Sequence, residues 1–141
     1  MSYFFVSRDV LKSGDALQAG HHWQKNVLGI GDSPTNDTNG EFIRERVRHL
    51  HYPFKPSRTR CSFAFSTMAD AVLFRDNWRP GSLIYPVDFT NPGAPRHEVT
   101  YTAFQPASSL PMRVQAHEFW NGGMLYSSNI ETFCESDLVV L

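Results

Sequence analysis

Cysteine is nearly absent, with only Cys61 and Cys134 in 141 residues. Both sit among apolar neighbours and no CxxC occurs. They read as small buried hydrophobes of a reducing compartment rather than as a disulfide, a zinc site or a nucleophile. Charge is sparse at 19% of residues and nearly balanced, with 13 Lys and Arg against 14 Asp and Glu and a formal net charge of −1. That balance gives no global pull toward nucleic acid or anionic lipid. No run reaches the roughly 18 apolar residues expected of a membrane span. MSYFFVSRD lacks the basic start and long apolar region of a secretory leader, so a cytoplasmic protein is expected. The glycine-rich stretch GIGDSPTNDTNG, residues 29–40, lacks the Gly-Lys-Ser/Thr of a phosphate loop, and there is no GxSxG elbow. The histidines include the close pairs His21/His22 and His49/His51, but no two have the i, i+4 spacing of a helical zinc site, so surface or capping roles are expected.

Aromatic residues are plentiful: 11 Phe, 5 Tyr and 3 Trp. Such rings pack well on pleated surfaces and favour a β-rich core. The length suits one domain over 1–141. Strands are expected at YFFVSR (3–8), at CSFAF after Arg60, at SLIYPVDF (82–89), at VTYTAFQ (99–105), and as one or two strands in the last residues, broken at ESD. Pro86 has no N–H to give, so an unpaired edge or a bulge is expected there. Helices should begin near Glu41, after Thr67, and at about Pro111, the last closed by NGG. In EFIRERVRHLHY, Phe42, Ile43, Val47 and Leu50 form the expected apolar face, with Arg44, Arg46 and Arg48 around the others. In the helix after Thr67 the stripe is Ala69, Val72, Leu73 and Trp78. The order predicts an α+β domain with a small split or mixed, largely antiparallel sheet and two or three helices, not a doubly wound fold.

Four stretches recur in an order that carries meaning: FVSR at residues 5–8, KPSRTR leading into FAFSTMADAVLF (63–74), SLIYPVDF, and NIETF…DLVVL (129–141). Together they resemble the ADP-ribosyltransferase superfamily. HYPFKPSRTRCSFAF and EFWNGG are similar to its small bacterial and phage members. The resemblance implies NAD as substrate, a macromolecular acceptor (protein or nucleic acid), and a role in phage or bacterial conflict. It makes Glu131 the catalytic carboxylate. Arg58 or Arg8 would contact the diphosphate, Ser66 and Thr67 would lie beside the ribose, and Tyr85 would form the nicotinamide wall. Two positions depart from the pattern. Asn129 stands where Glu or Gln would steer the acceptor, and Phe5 stands where some members carry His.

The chemistry can be argued from the residues as well. Breaking a nicotinamide–ribose bond builds positive charge on the ribose, which a fixed carboxylate stabilises. Glu131 sits in an alternating segment, and a strand holds it rigidly; Glu118 in AHEFW is the second candidate. Arg58 lies in a proline-stiffened connector suited to bidentate phosphate binding. Phe74 could add a wall to the nicotinamide site. Ser66 or Thr67 should cap the following helix, whether or not either also meets a ligand. Two other readings stand beside this one. One is a non-catalytic binding or inhibitor protein that keeps the fold. The other is a nucleic-acid module using Arg44, Arg46, Arg48, Lys55, Arg58 and Arg60 interleaved with aromatic rings.

Overall fold

A computed structural model describes residues 2–24, 38–105 and 108–141. It contains strands β1 (Tyr3–Ser7), β2 (Ala16–Leu17), β3 (Ser62–Ala64), β4 (Leu83–Phe89), β5 (Arg96–Thr100), β6 (Ile130–Cys134) and β7 (Leu138–Val140), with helices α1 (Thr38–His51), α2 (Met68–Trp78) and α3 (Met112–Asn121). A 3₁₀ turn covers Arg58–Arg60. The domain is α+β with two antiparallel sheets, ordered β1-β4-β7-β2 and β3-β6-β5. Phe4 and Phe65 exchange backbone hydrogen bonds of 2.8 Å each and join the two sheets where β3 ends.

The pleat of β3 and β6 divides the core. Phe63 and Phe133 face α1 and α3, where Val47, Val99, Phe104, Phe119 and Trp120 complete the first cluster. Ala64 and Cys134 face the other sheet and pack with Tyr3, Val87, Phe89, Leu138 and Val140 in the second. Full burial of rings such as Phe119 and Phe133 stabilises by about 1.5–3 kcal/mol each. The Trp120 indole donates to the Arg44 carbonyl at 2.8 Å and locks α3 onto α1. Gly122, left-handed at φ 90°, ends α3 as NGG predicts.

Several expectations change. The strand expected at 99–105 lies at Arg96–Thr100 and gives way to a turn after Thr100. β2, only two residues long, is not expected from the sequence and forms because β7 supplies its pairing partner. Pro86 is in an interior strand, not at an edge. Its carbonyl accepts from Leu141 N–H at 3.0 Å, and only the reciprocal bond of that rung is missing. On α1 the buried positions are Gly40, Glu41, Arg44, Val47 and Arg48, while Phe42 and Leu50 are exposed. On α2, Asp70 and Ala71 are buried; Ala69, Leu73 and Trp78 are exposed. Most of the glycine-rich stretch 29–40, whose lack of periodicity reads as a surface loop, lies outside the described residues, and its last three residues open α1. Both cysteines are free and buried, and burial pushes each thiol above its ordinary range.

Candidate functional site

The site begins with a salt-bridged turn. α1 carries Glu41 and Glu45 one helical turn apart, so both carboxylates face the same neighbour. That neighbour is the turn after Pro56. Ser57 Oγ donates to Glu45 Oε1 at 2.8 Å, and Ser57 N–H donates to Glu135 Oε1 at 2.7 Å. Arg58 donates through Nε and Nη2 to the two Glu41 oxygens, 2.7 Å each, a parallel fork that fixes its plane. Arg44 Nη2 approaches the same carboxylate at 3.0 Å. Arg58 is 5% exposed and Glu41 4%. The guanidinium also lies over the rings of Phe63 and Phe133, at 4.8 and 4.9 Å. Burial alone would raise the Glu41 pKa, but Arg44 and Arg58 beside it, with hydrogen bonds from Arg58 and His22, hold the carboxyl well below its usual range.

Glu131 enters from the opposite side. It is the second residue of β6, paired with Val99 on β5, and its side chain is 13% exposed. Its Oε1 lies 3.9 Å from Arg58 Nη1, and that nitrogen is buried without a hydrogen-bond partner. Glu41 thus occupies two faces of the Arg58 fork and leaves the third turned toward Glu131, near but not bonded. Burial raises the Glu131 pKa; Arg58 pulls it back, His22 less so, and Glu41 adds repulsion. The result is a half-shielded carboxylate, only partly neutralised, on a rigid strand.

An aromatic wall stands nearby. Phe65, Phe74 and Tyr101 make a mutually packed trio with centroids 5.1–5.9 Å apart. Burial and the Glu131 charge push the Tyr101 hydroxyl up to about 12. Its hydroxyl donates to Asn129 Oδ1 at 3.1 Å, and Asn129 N–H donates to Asp70 Oδ1 at 2.8 Å. Asn129 is left-handed at φ 58°, a conformation Asn tolerates better than most residues. The start of α2 is therefore stitched to the residue two before Glu131.

The structure brings only some of the sequence-predicted residues together. Glu131 and Arg58 meet. Ala64 is opposite Thr132, so Ser66 and Thr67 leave the sheet at the end where Glu131 enters it. Thr67 is the α2 cap, its Oγ1 accepting from Asp70 N–H at 3.1 Å, and Ser66 is half-buried before it. Arg58 is turned inward and held by carboxylates, which is unlike a cation waiting for a diphosphate. Arg8 is exposed just past β1, and its nearest marked influence is on Arg79, whose pKa falls through burial and then through repulsion from Arg8. Tyr85 belongs to the second core. Its hydroxyl accepts from Leu11 N–H at 2.9 Å and donates to the Asp9 carbonyl at 3.3 Å, so it ties down the segment after β1. Glu118 lies half-buried on α3.

Glu41 and Arg44 are not among the residues that the sequence places at this site, Arg44 being expected only as one cation of a nucleic-acid run, and neither are Asp70 and Tyr101. A signal existed for the first two: Glu41-x-x-Arg44 and Glu45-x-x-Arg48 repeat the i, i+3 spacing of an ion pair, and the second is 2.8 Å long. Three of the six cations expected to form a nucleic-acid surface, Arg44, Arg48 and Arg58, are buried. Two surface pockets, one beside Tyr3 and Asp88 and one beside Tyr52 and Phe54, lie apart from Glu131. Among the described residues, no group of three or more His, Cys, Asp or Glu could hold a metal ion, and no helix is long and apolar enough to cross a membrane. His97 departs from the expected surface role: it is buried, and its Nε2–H donates to the Phe119 carbonyl at 2.6 Å. The chain matches no protein-family model and is not significantly similar to any curated protein.

Proposed function

We propose that this domain is an NAD-dependent mono-ADP-ribosyltransferase of the ADP-ribosyltransferase-like fold, acting on a macromolecular acceptor in phage or bacterial conflict. One observation carries the reading: Glu131, a strand carboxylate 3.9 Å from a buried arginine whose fork is already taken by Glu41. Such a carboxylate is not committed to a short ion pair with Arg58. Beside a ribose losing nicotinamide it would stabilise the positive charge that develops at the anomeric carbon. The rings of Phe65, Phe74 and Tyr101 offer an apolar surface for nicotinamide in place of Tyr85, which is occupied elsewhere. Arg8 is the exposed cation for the diphosphate, and the Ser66–Thr67 junction remains beside the ribose. Arg58 becomes a positioning residue for Glu131.

The test is calorimetric titration with NAD followed by measurement of nicotinamide release, for the wild type and Glu131→Gln. Binding by both with release by the wild type alone supports the reading. Absence of binding at millimolar NAD refutes it. A non-catalytic binding protein is the second reading, and it has its own observation: Arg58 faces inward, and neither of the two pockets near Tyr3 and Tyr52 is lined by Glu131.

A further inference from the structure

A second site lies on the connector between α1 and the Arg58 turn. There His51, Tyr52, Pro53, Phe54 and Lys55 face Pro95 and Arg96 across a groove of about 450 Å³. Its lining holds two cations and no carboxylate. Neither Lys55 nor Arg96 has an ion-pair partner among the described residues. The Phe54 ring is 95% exposed and therefore open to a ligand.

The groups are held in place before any ligand arrives. Lys55 N–H donates to the Tyr52 carbonyl at 3.0 Å, and Arg48 Nη1 donates to the Lys55 carbonyl at 3.3 Å, closing the turn between Pro53 and Pro56. Tyr52 is anchored through its hydroxyl, 3.1 Å from His117 Nδ1. Across the groove, Arg96 donates through Nη1 to the Tyr3 hydroxyl and through Nη2 to the Pro92 carbonyl, 2.7 Å each. Those bonds fix the guanidinium and leave further N–H groups to donate. Tyr3 and Pro92, with Asp88 and Phe89, line the smaller pocket, so Arg96 borders both pockets, and the groove is the one whose lining has no carboxylate.

A projecting ring on a fixed turn, with Lys55 beside it and Arg96 across the groove, suits a ligand that alternates aromatic faces with negative charge. We infer that this groove binds single-stranded nucleic acid, a base stacking on Phe54 and the flanking phosphates meeting Lys55 and Arg96. Bases in a duplex are already stacked and cannot offer a face to the ring, which favours a single strand. The inference uses neither NAD nor Glu131, so it stands or falls apart from the transferase reading.

The experiment is fluorescence anisotropy of the full chain with a labelled 12-nucleotide oligo(dT), its RNA counterpart oligo(U), and a duplex of equal length. Unlabelled dTMP and polyglutamate serve as competitors. Single strands are expected to bind and the duplex to bind more weakly; the DNA and RNA arms show which strand is preferred. Phe54→Ala should weaken binding roughly tenfold, a stacking loss within the usual range. Lys55→Glu should weaken it and lower the salt slope by about one phosphate contact. Both side chains lie at the groove surface, and circular dichroism of the variants checks that they fold. Four results would overturn the inference: no binding of either single strand, equal affinity for the duplex, competition by polyglutamate as effective as by oligo(dT), or affinity untouched by both substitutions. Full displacement by dTMP at matched nucleotide concentration would replace the strand with a free nucleotide and overturn it as well.

Discussion

Replacing Glu41 by glutamine removes a charge while keeping the shape of the side chain and one of its two acceptor oxygens. The structure sets the size of the effect. Arg58 is buried, and Glu41 provides both of its short contacts as well as the 3.0 Å contact to Arg44. Removing one partner of a buried ion pair costs about 3–5 kcal/mol. Glu131, 3.9 Å from Nη1, can take up part of the uncompensated charge, which puts Glu41→Gln near the lower end. With the entropy of unfolding usual for a domain of this size, that is a fall of roughly 10 °C in Tm. The measurement is urea unfolding at pH 7 followed by circular dichroism, with Arg58→Met and the double variant completing the cycle. The double variant should be less unstable than the two single losses added together. The sign with pH follows from the depressed Glu41 pKa. Its stabilisation is complete above the carboxylate's unfolded value near 4 and is lost as pH falls through the lower folded value. The gap between wild type and Glu41→Gln should therefore close in acid. A loss under about 1 kcal/mol at pH 7, or strict additivity in the cycle, would refute the reasoning, because the pair would then be solvated or already uncoupled.

Glu131→Gln should do the reverse to stability. For a carboxyl with a raised folded pKa the penalty grows as pH rises above the unfolded value of about 4 and is complete above the folded one, so the variant should equal or exceed wild type in Tm at pH 8 while losing nicotinamide release, and a clear fall in Tm would contradict this. His97 has its pKa lowered by burial to about 4. Its contribution is complete above about pH 6.5 and declines as pH falls toward 4, by about 3 kcal/mol in all; an NMR titration in which its ring protonates near pH 6.5 would count against that. Gly20 has φ +86°, and an added Cβ would lie 2.7 Å from the Thr59 carbonyl oxygen. Gly20→Ala should cost about 1–3 kcal/mol, and thermal unfolding of that variant at or near the wild-type Tm would show that the contact yields.

Elements with strong punctuation were legible in advance. Pro111 and NGG bracket α3, and alternation with a turn on either side marks β4. The face of α1 was not legible, because apolar periodicity counts only apolar residues. Here Glu41 and Arg44 occupy buried positions by neutralising each other, Arg48 does so by pairing with Glu45, and Phe42 is left to pack at the surface against Trp23. The α2 stripe failed for a related reason. That helix meets the fold through Ala71, Phe74 and the buried Asp70, whose carboxylate is needed by the Asn129 backbone 59 residues away. At the site, the strand position of Glu131 and the cap at Thr67 could be read locally. The inward turn of Arg58 could not, since it depends on a carboxylate 17 residues earlier in the chain.

The pairing of Ala16 with Val139, and of Phe89 with Leu138, has a consequence for how the protein is made. The sheet β1-β4-β7-β2 lacks its third member until Leu138–Val140 have been synthesised. While the ribosome is still adding them, β4 exposes one open edge and β2 has no partner at all. Bringing such distant segments together costs loop entropy before any contact repays it, so closure is slow compared with helix formation. The nascent chain must carry those open edges until Leu138–Val140 arrives, and it is in that interval that aggregation competes most directly with folding.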